Sequence, residues 1–269
     1  LESNPDTRYI LDGWGPVIDD KPLEMVRHYE AVAGWFEYCF VQMSRRQSYD
    51  PFPVNPKGFD KALWAPGWLY NAMVAPVTRF PVAGAVWLQG EGDSGRAYMY
   101  RTLLATLIGD WRRQWGIPEL PFVVVQLANV HDVKTEPGES TWAETQEAQL
   151  MALRLPKTGV AATLDIGQAE DVHYKNKQEA GRRAALAALH AAYGRDFVYA
   201  GPFYRSMAVE GDTVRLTFDC LGSILKSRDG GPLKGFAVAG EDKKFVWADA
   251  VIEGANVVAV KSDKVAKPV

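Results

Sequence analysis

His173 has more chemistry within reach than any other side chain of the sequence. It follows the polar run Gly167-Gln168-Ala169-Glu170-Asp171-Val172 and sits just ahead of a helical pattern that starts at Asn176. An imidazole changes charge near neutral pH, and a carboxylate can orient it through its second ring nitrogen. Asp171 and Glu170 are the carboxylates at hand. The competing reading is an exposed loop histidine beside ordinary surface acids. Gln89-Gly90-Glu91 is the second candidate. A glycine leaves its backbone N–H unobstructed, and a side-chain amide beside it is a preorganised donor, so the pair could stabilise an oxyanion. The competing reading there is a turn after a strand. His131 lies in a loop and is ambiguous, whereas His28 and His190 fall in helical stretches and read as surface or packing residues.

Other chemistries find no pattern. The sequence has no H-E-x-x-H, no CxxC and no acidic calcium loop, so no metal is expected. It has no Walker sequence, and Gly90-Glu91-Gly92 is too little for a dinucleotide fingerprint, so no cofactor is expected. No G-x-S-x-G elbow is present. Ser94, Ser140 and Ser206 lie in loops without an adjacent base. The residues thus offer a base and oxyanion donors, but no convincing nucleophile.

These candidates need a frame. Val82–Leu88, Pro121–Leu127 and Gly159–Asp165 are short apolar runs that read as buried strands. Between and after them, Tyr98–Trp115, Trp142–Leu153 and Asn176–Tyr193 carry helical periodicity, and Gly116 and Gly194 close the first and last. Alternating strands and helices predict a parallel sheet covered by helices. Ligands bind such sheets beyond the carboxyl ends of the strands, where Gln89 and His173 both fall. Upstream, Pro22–Phe40 reads as an amphipathic helix, Asp50–Pro56 as a Pro-rich loop and Leu69–Val77 as a short helix. From about Asp196 the period becomes two. Thr213–Phe218, Gly235–Ala239, Lys244–Trp247 and Val257–Val260 predict a small antiparallel β module, with the boundary near 195–205.

Composition agrees with a globular protein. The 269 residues are 47% hydrophobic and 23% charged, with a formal charge of −3, so disorder and a nucleic-acid footprint are both disfavoured. No apolar run approaches the roughly 18–20 residues a membrane span needs. Cys39 and Cys220 cannot make a disulfide framework; one bridge or two buried thiols are the options.

Several blocks, in order, resemble the sialate O-acetylesterase family of SGNH hydrolases. They are Leu69–Pro76, Val86-Trp87-Leu88-Gln89-Gly90-Glu91, Tyr98, Leu107–Arg112, Leu120-Pro121-Phe122, Val125–Ala128, Asp165-Ile166-Gly167 and Asp171-Val172-His173 with Asn176-Lys177. Gly201-Pro202 and Gly235–Gly240 are similar to the β module of bacterial members. The resemblance implies an SGNH (flavodoxin-like) three-layer α/β fold, a parallel sheet with helices on both faces, followed by a small antiparallel β module. It implies a serine esterase that removes acetyl groups from sugar hydroxyls of sialic acid or plant polysaccharide. His173 matches the catalytic histidine, and Gln89 and Gly90 match the oxyanion block. Glu91 would brace that block. Asp171 matches the carboxylate two residues before the histidine, with Glu170, three before, as its rival.

The family's Gly-Gln-Ser-Asn block, which carries the nucleophile, is not in the sequence, nor is the block with the glycine oxyanion donor. The expectation is therefore a 1–195 SGNH-type esterase domain, short of its first strands, and a 196–269 sandwich-like module. The expected partners are an acetylated carbohydrate and a complementary N-terminal segment of the same precursor, separated by a nick before Leu1 and bearing the Ser. A secreted or periplasmic setting is expected. A non-catalytic carbohydrate-binding or structural module is the alternative. Trp14, Trp35, Trp64 and Trp68 could stack on sugar rings or belong to a core.

Overall fold

The computed structural model describes residues 69–269. The expected Pro22–Phe40 helix, the Pro-rich loop, Cys39, His28 and the four N-terminal tryptophans lie outside the described residues. The chain divides into two compact units, Leu1–Pro81 and Val82–Val269. In the first, the expected Leu69–Val77 helix is a single widened turn, Tyr70–Val74, followed by a 3-10 turn, Ala75–Val77, with Pro76 near its start.

The second unit holds the parallel sheet. Its strands are β1 (Ala85–Leu88), β2 (Phe122–Val125) and β3 (Thr158–Ala161), in the order β1-β2-β3. The register sets Leu88 beside Val125 and Val125 beside Ala161, so the three carboxyl ends share one edge. β2 is central and buried along its length, as its unbroken Phe-Val-Val-Val run dictates. Each strand is shorter than its apolar run. The second and third runs continue past the last paired residue, and after β2 Leu127 and Ala128 are buried by other means than a ladder.

Helices cover both faces. α1 (Ala97–Trp115) and α2 (Thr141–Leu150) pack on one, where Tyr100, Leu104, Ile108 and Ala148 meet Phe122, Val124 and Val160. α3 (Lys177–Tyr193) packs on the other, where Ala184 and Ala187 meet Val123, Val125 and Ala161. The Asn176 side chain caps α3 by accepting from Glu179 N at 3.2 Å, and Ser140 caps α2 by accepting from Ala143 N at 3.2 Å. At the amino ends of the strands, Arg112 of α1 is buried. It donates to Leu120 O at 3.1 Å and Pro156 O at 2.6 Å, tying the helix to the turns that enter β2 and β3.

β1 and β3 are the two edge strands of this sheet among the described residues. Ala85 and Trp87 face the first core cluster, whereas Val86 and Leu88 point the other way and are 59% and 49% exposed. α3 lies over β2 and β3 rather than over β1.

The antiparallel module begins inside the same unit, after the expected 195/196 boundary. β4 (Phe203–Glu210), β5 (Thr213–Asp219), β8 (Asp249–Glu253) and β9 (Val257–Lys261) form a sheet in the order β4-β5-β9-β8. β6 (Ala237–Val238) and β7 (Val246–Trp247) form a second, smaller one. Val214, Val258 and Val260 from one sheet and Val238 from the other share a core. β4 and β8 went unread in the sequence. Every residue of β4 after Phe203 is exposed, so burial leaves no alternating pattern in it. Cys220 is a free thiol.

Candidate active site

The residues expected from the sequence fall at the end of β1 and in the loop that follows β3. At the end of β1, Gln89 is held at both ends of its amide. Tyr100 of α1 donates its hydroxyl proton to Gln89 Oε1 at 2.8 Å, and Gln89 Nε2 donates to Asp93 Oδ2 at 2.8 Å. Trp87 Nε1 in turn donates to the Tyr100 hydroxyl at 3.3 Å. Burial pushes the Tyr100 phenol up to about 12, with the Asp93 and Glu91 carboxylates adding to the rise and Trp87 opposing it. The phenol therefore stays protonated and remains a donor, which fixes the Gln89 carbonyl oxygen inward and the NH₂ group outward. One of the two Nε2 hydrogens meets Asp93; the chemistry of the amide leaves a second.

The backbone is fixed as well. Gln149 of α2 donates from Nε2 to Gln89 O at 2.9 Å and accepts from Leu127 N at 2.8 Å. This one buried side chain joins the ends of β1 and β2. Gly90, next in the chain, is buried and has φ +152°. A Cβ there would lie 2.9 Å from Gln149 Nε2 and 3.3 Å from Leu127 Cγ. Only glycine fits both the conformation and the space. Glu91 opens a 3-10 turn, Glu91–Arg96, that runs into α1. Ser94 lies in that turn, and its hydroxyl donates to Glu91 O at 2.9 Å.

His173 lies beyond β3, as expected. The loop that leads to it folds back on itself through an antiparallel bridge between Gln168 and Asp171. Asp171 Oδ1 accepts the His173 backbone N–H at 2.8 Å and lies 3.4 Å from His173 Nδ1. The imidazole is 84% exposed. Glu170 is exposed and makes no ion pair with the ring. The geometry thus brings Asp171, rather than Glu170, to His173.

Tyr174, next to His173 in the chain, packs with Ala128 and Ala180, and sequence reasoning missed it. It is buried, Lys177 Nζ sits 3.6 Å from its ring centroid, and its hydroxyl makes no hydrogen bond among the described residues. Burial raises the phenol above its ordinary value; the Thr163 side chain opposes the rise and the Glu91 carboxylate adds to it. Tyr100, Gln149 and Tyr174 left no signal in the sequence, because each acts on a residue that chain folding alone brings near. The remaining histidines do different work. His131 N donates to Ala169 O at 2.9 Å, so it is a backbone tie, and His190 stacks on Tyr199 with centroids 4.1 Å apart. Among the described residues no group of three or more His, Cys, Asp or Glu could hold a metal ion.

Comparison with known proteins gives this edge a setting. The family described as "Carbohydrate esterase, sialic acid-specific acetylesterase" matches residues 57–190, which include every candidate above. Sialate O-acetylesterase of Mus musculus is 26% identical over 198 residues, 66% of this chain and 36% of that protein. The Homo sapiens protein of the same name is 28% identical over 151 residues, 50% of this chain and 29% of that protein. A crystal structure of a carbohydrate acetylesterase from Xanthomonas citri aligns with a TM-score of 0.74 and 42% identity, over 78% of this chain and 49% of that one. The chain spans about a third of the length of the curated relatives it matches and about half of the solved structure.

Proposed function

Through residues 57–190 this chain belongs to the sialic acid-specific acetylesterase family of carbohydrate esterases, and we propose that it forms most of the catalytic body of a serine-type carbohydrate O-acetylesterase. The observation that carries the reading is the Asp171–His173 pair at the carboxyl edge of the sheet, the edge that also carries Gly90. A carboxylate at Nδ1 selects the tautomer whose Nε2 is free to accept a proton.

In this reading a serine hydroxyl attacks the acetyl carbonyl while His173 Nε2 takes its proton. Asp171 stabilises the imidazolium. The Gly90 backbone N–H and the outward Nε2 of Gln89 meet the oxyanion of the tetrahedral intermediate. The C–O bond to the sugar then breaks, and the imidazolium protonates the leaving sugar oxygen. Water attacks the acetyl-serine by the same route in reverse, releasing acetate. Glu91 braces the oxyanion strand end and Glu170 has no part in the proton transfer.

The serine belongs to a complementary segment of the same precursor. Two things support this: no Gly-Gln-Ser-Asn block occurs in the sequence, and Ser94, the serine that follows the oxyanion strand, donates its hydroxyl to Glu91 O. The 1–195 portion carries the chemistry, and the 196–269 module follows it. Acetylated sialic acid and acetylated plant polysaccharide both present the required ester, and a secreted or periplasmic setting fits either substrate. The test is acetate release by the complete enzyme from acetylated sialic acid, xylan and xyloglucan, with His173→Ala as control. Equal release by wild type and variant refutes the mechanism, and no release from any acetylated glycan leaves a non-catalytic binding module as the function.

A further inference from the structure

Among the described residues the β module makes two directional contacts with the α/β part, and both land on the loops around His173. Arg228, between β5 and β6, forms an ion pair through Nη2 with Asp165 Oδ2. Trp247 of β7 donates its indole N–H to Thr135 O at 2.7 Å. Asp165 opens the loop that ends at His173; Thr135 lies in the loop that follows β2. Those two loops are themselves joined. Gly167 N donates to Asn129 Oδ1 at 2.8 Å and His131 N donates to Ala169 O at 2.9 Å. A Cβ on Gly167 would sit 1.9 Å from Asn129 O, so the contact is as close as backbone allows. Asp165 is also gripped from α3, where Arg183 holds its two carboxylate oxygens at 2.5 and 2.9 Å.

We propose that the β module is a clamp that positions His173, with Arg228 and Trp247 as positioning residues, rather than a detachable sugar-binding appendage. This rests on the esterase reading above. A mere tether would be free to touch the sheet domain anywhere. These contacts instead close a ring: module, Trp247, Thr135 loop, Gly167–Ala169, Asp165, Arg228, module. An indole offers one N–H, and an Arg–carboxylate pair is charge-assisted, so each contact fixes a direction as well as a distance. Arg228 is 74% exposed, and exposed pairs add little to global stability. Their loss would therefore register in loop position more than in melting temperature. Misplacement of a catalytic group by an ångström costs up to about 100-fold in rate.

The test uses the complete enzyme with Arg228→Ala, Trp247→Phe, the double variant and Arg228→Lys. p-Nitrophenyl acetate is the substrate, because it has no glycan to bind. The clamp predicts a kcat lower by about 3-fold in each single variant and about 10-fold in the double, with KM unchanged. Arg228→Lys restores most of the loss. Amide exchange in residues 129–140 and 165–173 accelerates in the double variant while the melting temperature holds. Wild-type kcat on this ester with unchanged loop exchange overturns the clamp, and a raised KM on polysaccharide in the same variant assigns the module to sugar binding. If wild type hydrolyses no acetyl ester, the esterase reading fails on its own. The exchange readout then still decides the clamp: faster exchange in both loops supports it, unchanged exchange refutes it.

Discussion

At the scale of single residues, the proposed chemistry separates three side chains by the kind of damage their loss should do. His173→Ala removes the proton acceptor, so turnover of the complete enzyme on p-nitrophenyl acetate should fall by at least about 10³. Asp171→Asn should cost more than Glu170→Gln, because only Asp171 stands at Nδ1; the reverse order in kcat would hand the orienting role to Glu170. Gln89→Ala should lower kcat by about 10²-fold with little change in KM if the amide meets the oxyanion. A change in KM alone would make Gln89 a substrate-positioning residue. The sequence located His173 and Gln89 because loop position after an apolar run is a local property. It left the choice between Asp171 and Glu170 to spacing, and the 168–171 turn that sets Asp171 3.4 Å from His173 Nδ1 is a backbone bridge no spacing encodes. The residues that hold Gln89 were illegible for the same reason. Gln149 lies 60 positions from the carbonyl it supports.

At the scale of elements, the two strand ends depend on backbone that tolerates little change. Gly90→Ala places a Cβ against Gln149 and forces a left-handed conformation, which should destabilise by about 1–3 kcal/mol. Thermal melting would show it as a fall of about 2–10 °C, and an unchanged melting temperature would mean that the loop relaxes freely. The loop to His173 depends on charge. Arg183, chiefly by hydrogen bonding, holds the Asp165 carboxyl at about 2, below its ordinary 3.8, with Arg228 adding to the effect. A depressed carboxyl contributes stability that is complete above its unfolded value and is lost as pH falls through the folded one. Melting temperature should therefore drop between about pH 4 and pH 2. Asp165→Asn should flatten that slope without abolishing it, because Glu179, held at about 2 by Arg182 and Arg183, titrates in the same window. Identical slopes for wild type and variant would remove Asp165 from the account. The three helices of the α/β part were legible to within a few residues, since their apolar spacing, Asn176 and the closing glycines are all local signals. Strand length was not. Leu127 is apolar because it is buried, although no neighbouring strand pairs with it.

At the scale of the whole molecule, the parallel sheet has an open side that the proposed nucleophile would fill. β1 pairs with β2 on one edge only among the described residues, and its outer face shows Val86 and Leu88 to solvent. An apolar edge strand is a template for another strand, and proteins cover or blunt such edges. A precursor segment laid parallel to β1 would extend the sheet, bury Val86 and Leu88, and deliver a serine at the carboxyl edge, where Gly90 and His173 wait. Both needs, coverage of the edge and supply of a nucleophile, are met by one segment in one place. The expected outcome is that residues 1–269 produced alone turn over p-nitrophenyl acetate at no more than background. Co-production with the segment carrying Gly-Gln-Ser-Asn should restore turnover and slow amide exchange at Val86 and Leu88. Full turnover by residues 1–269 alone, abolished by Ser94→Ala, would sink the idea and place the nucleophile within this chain.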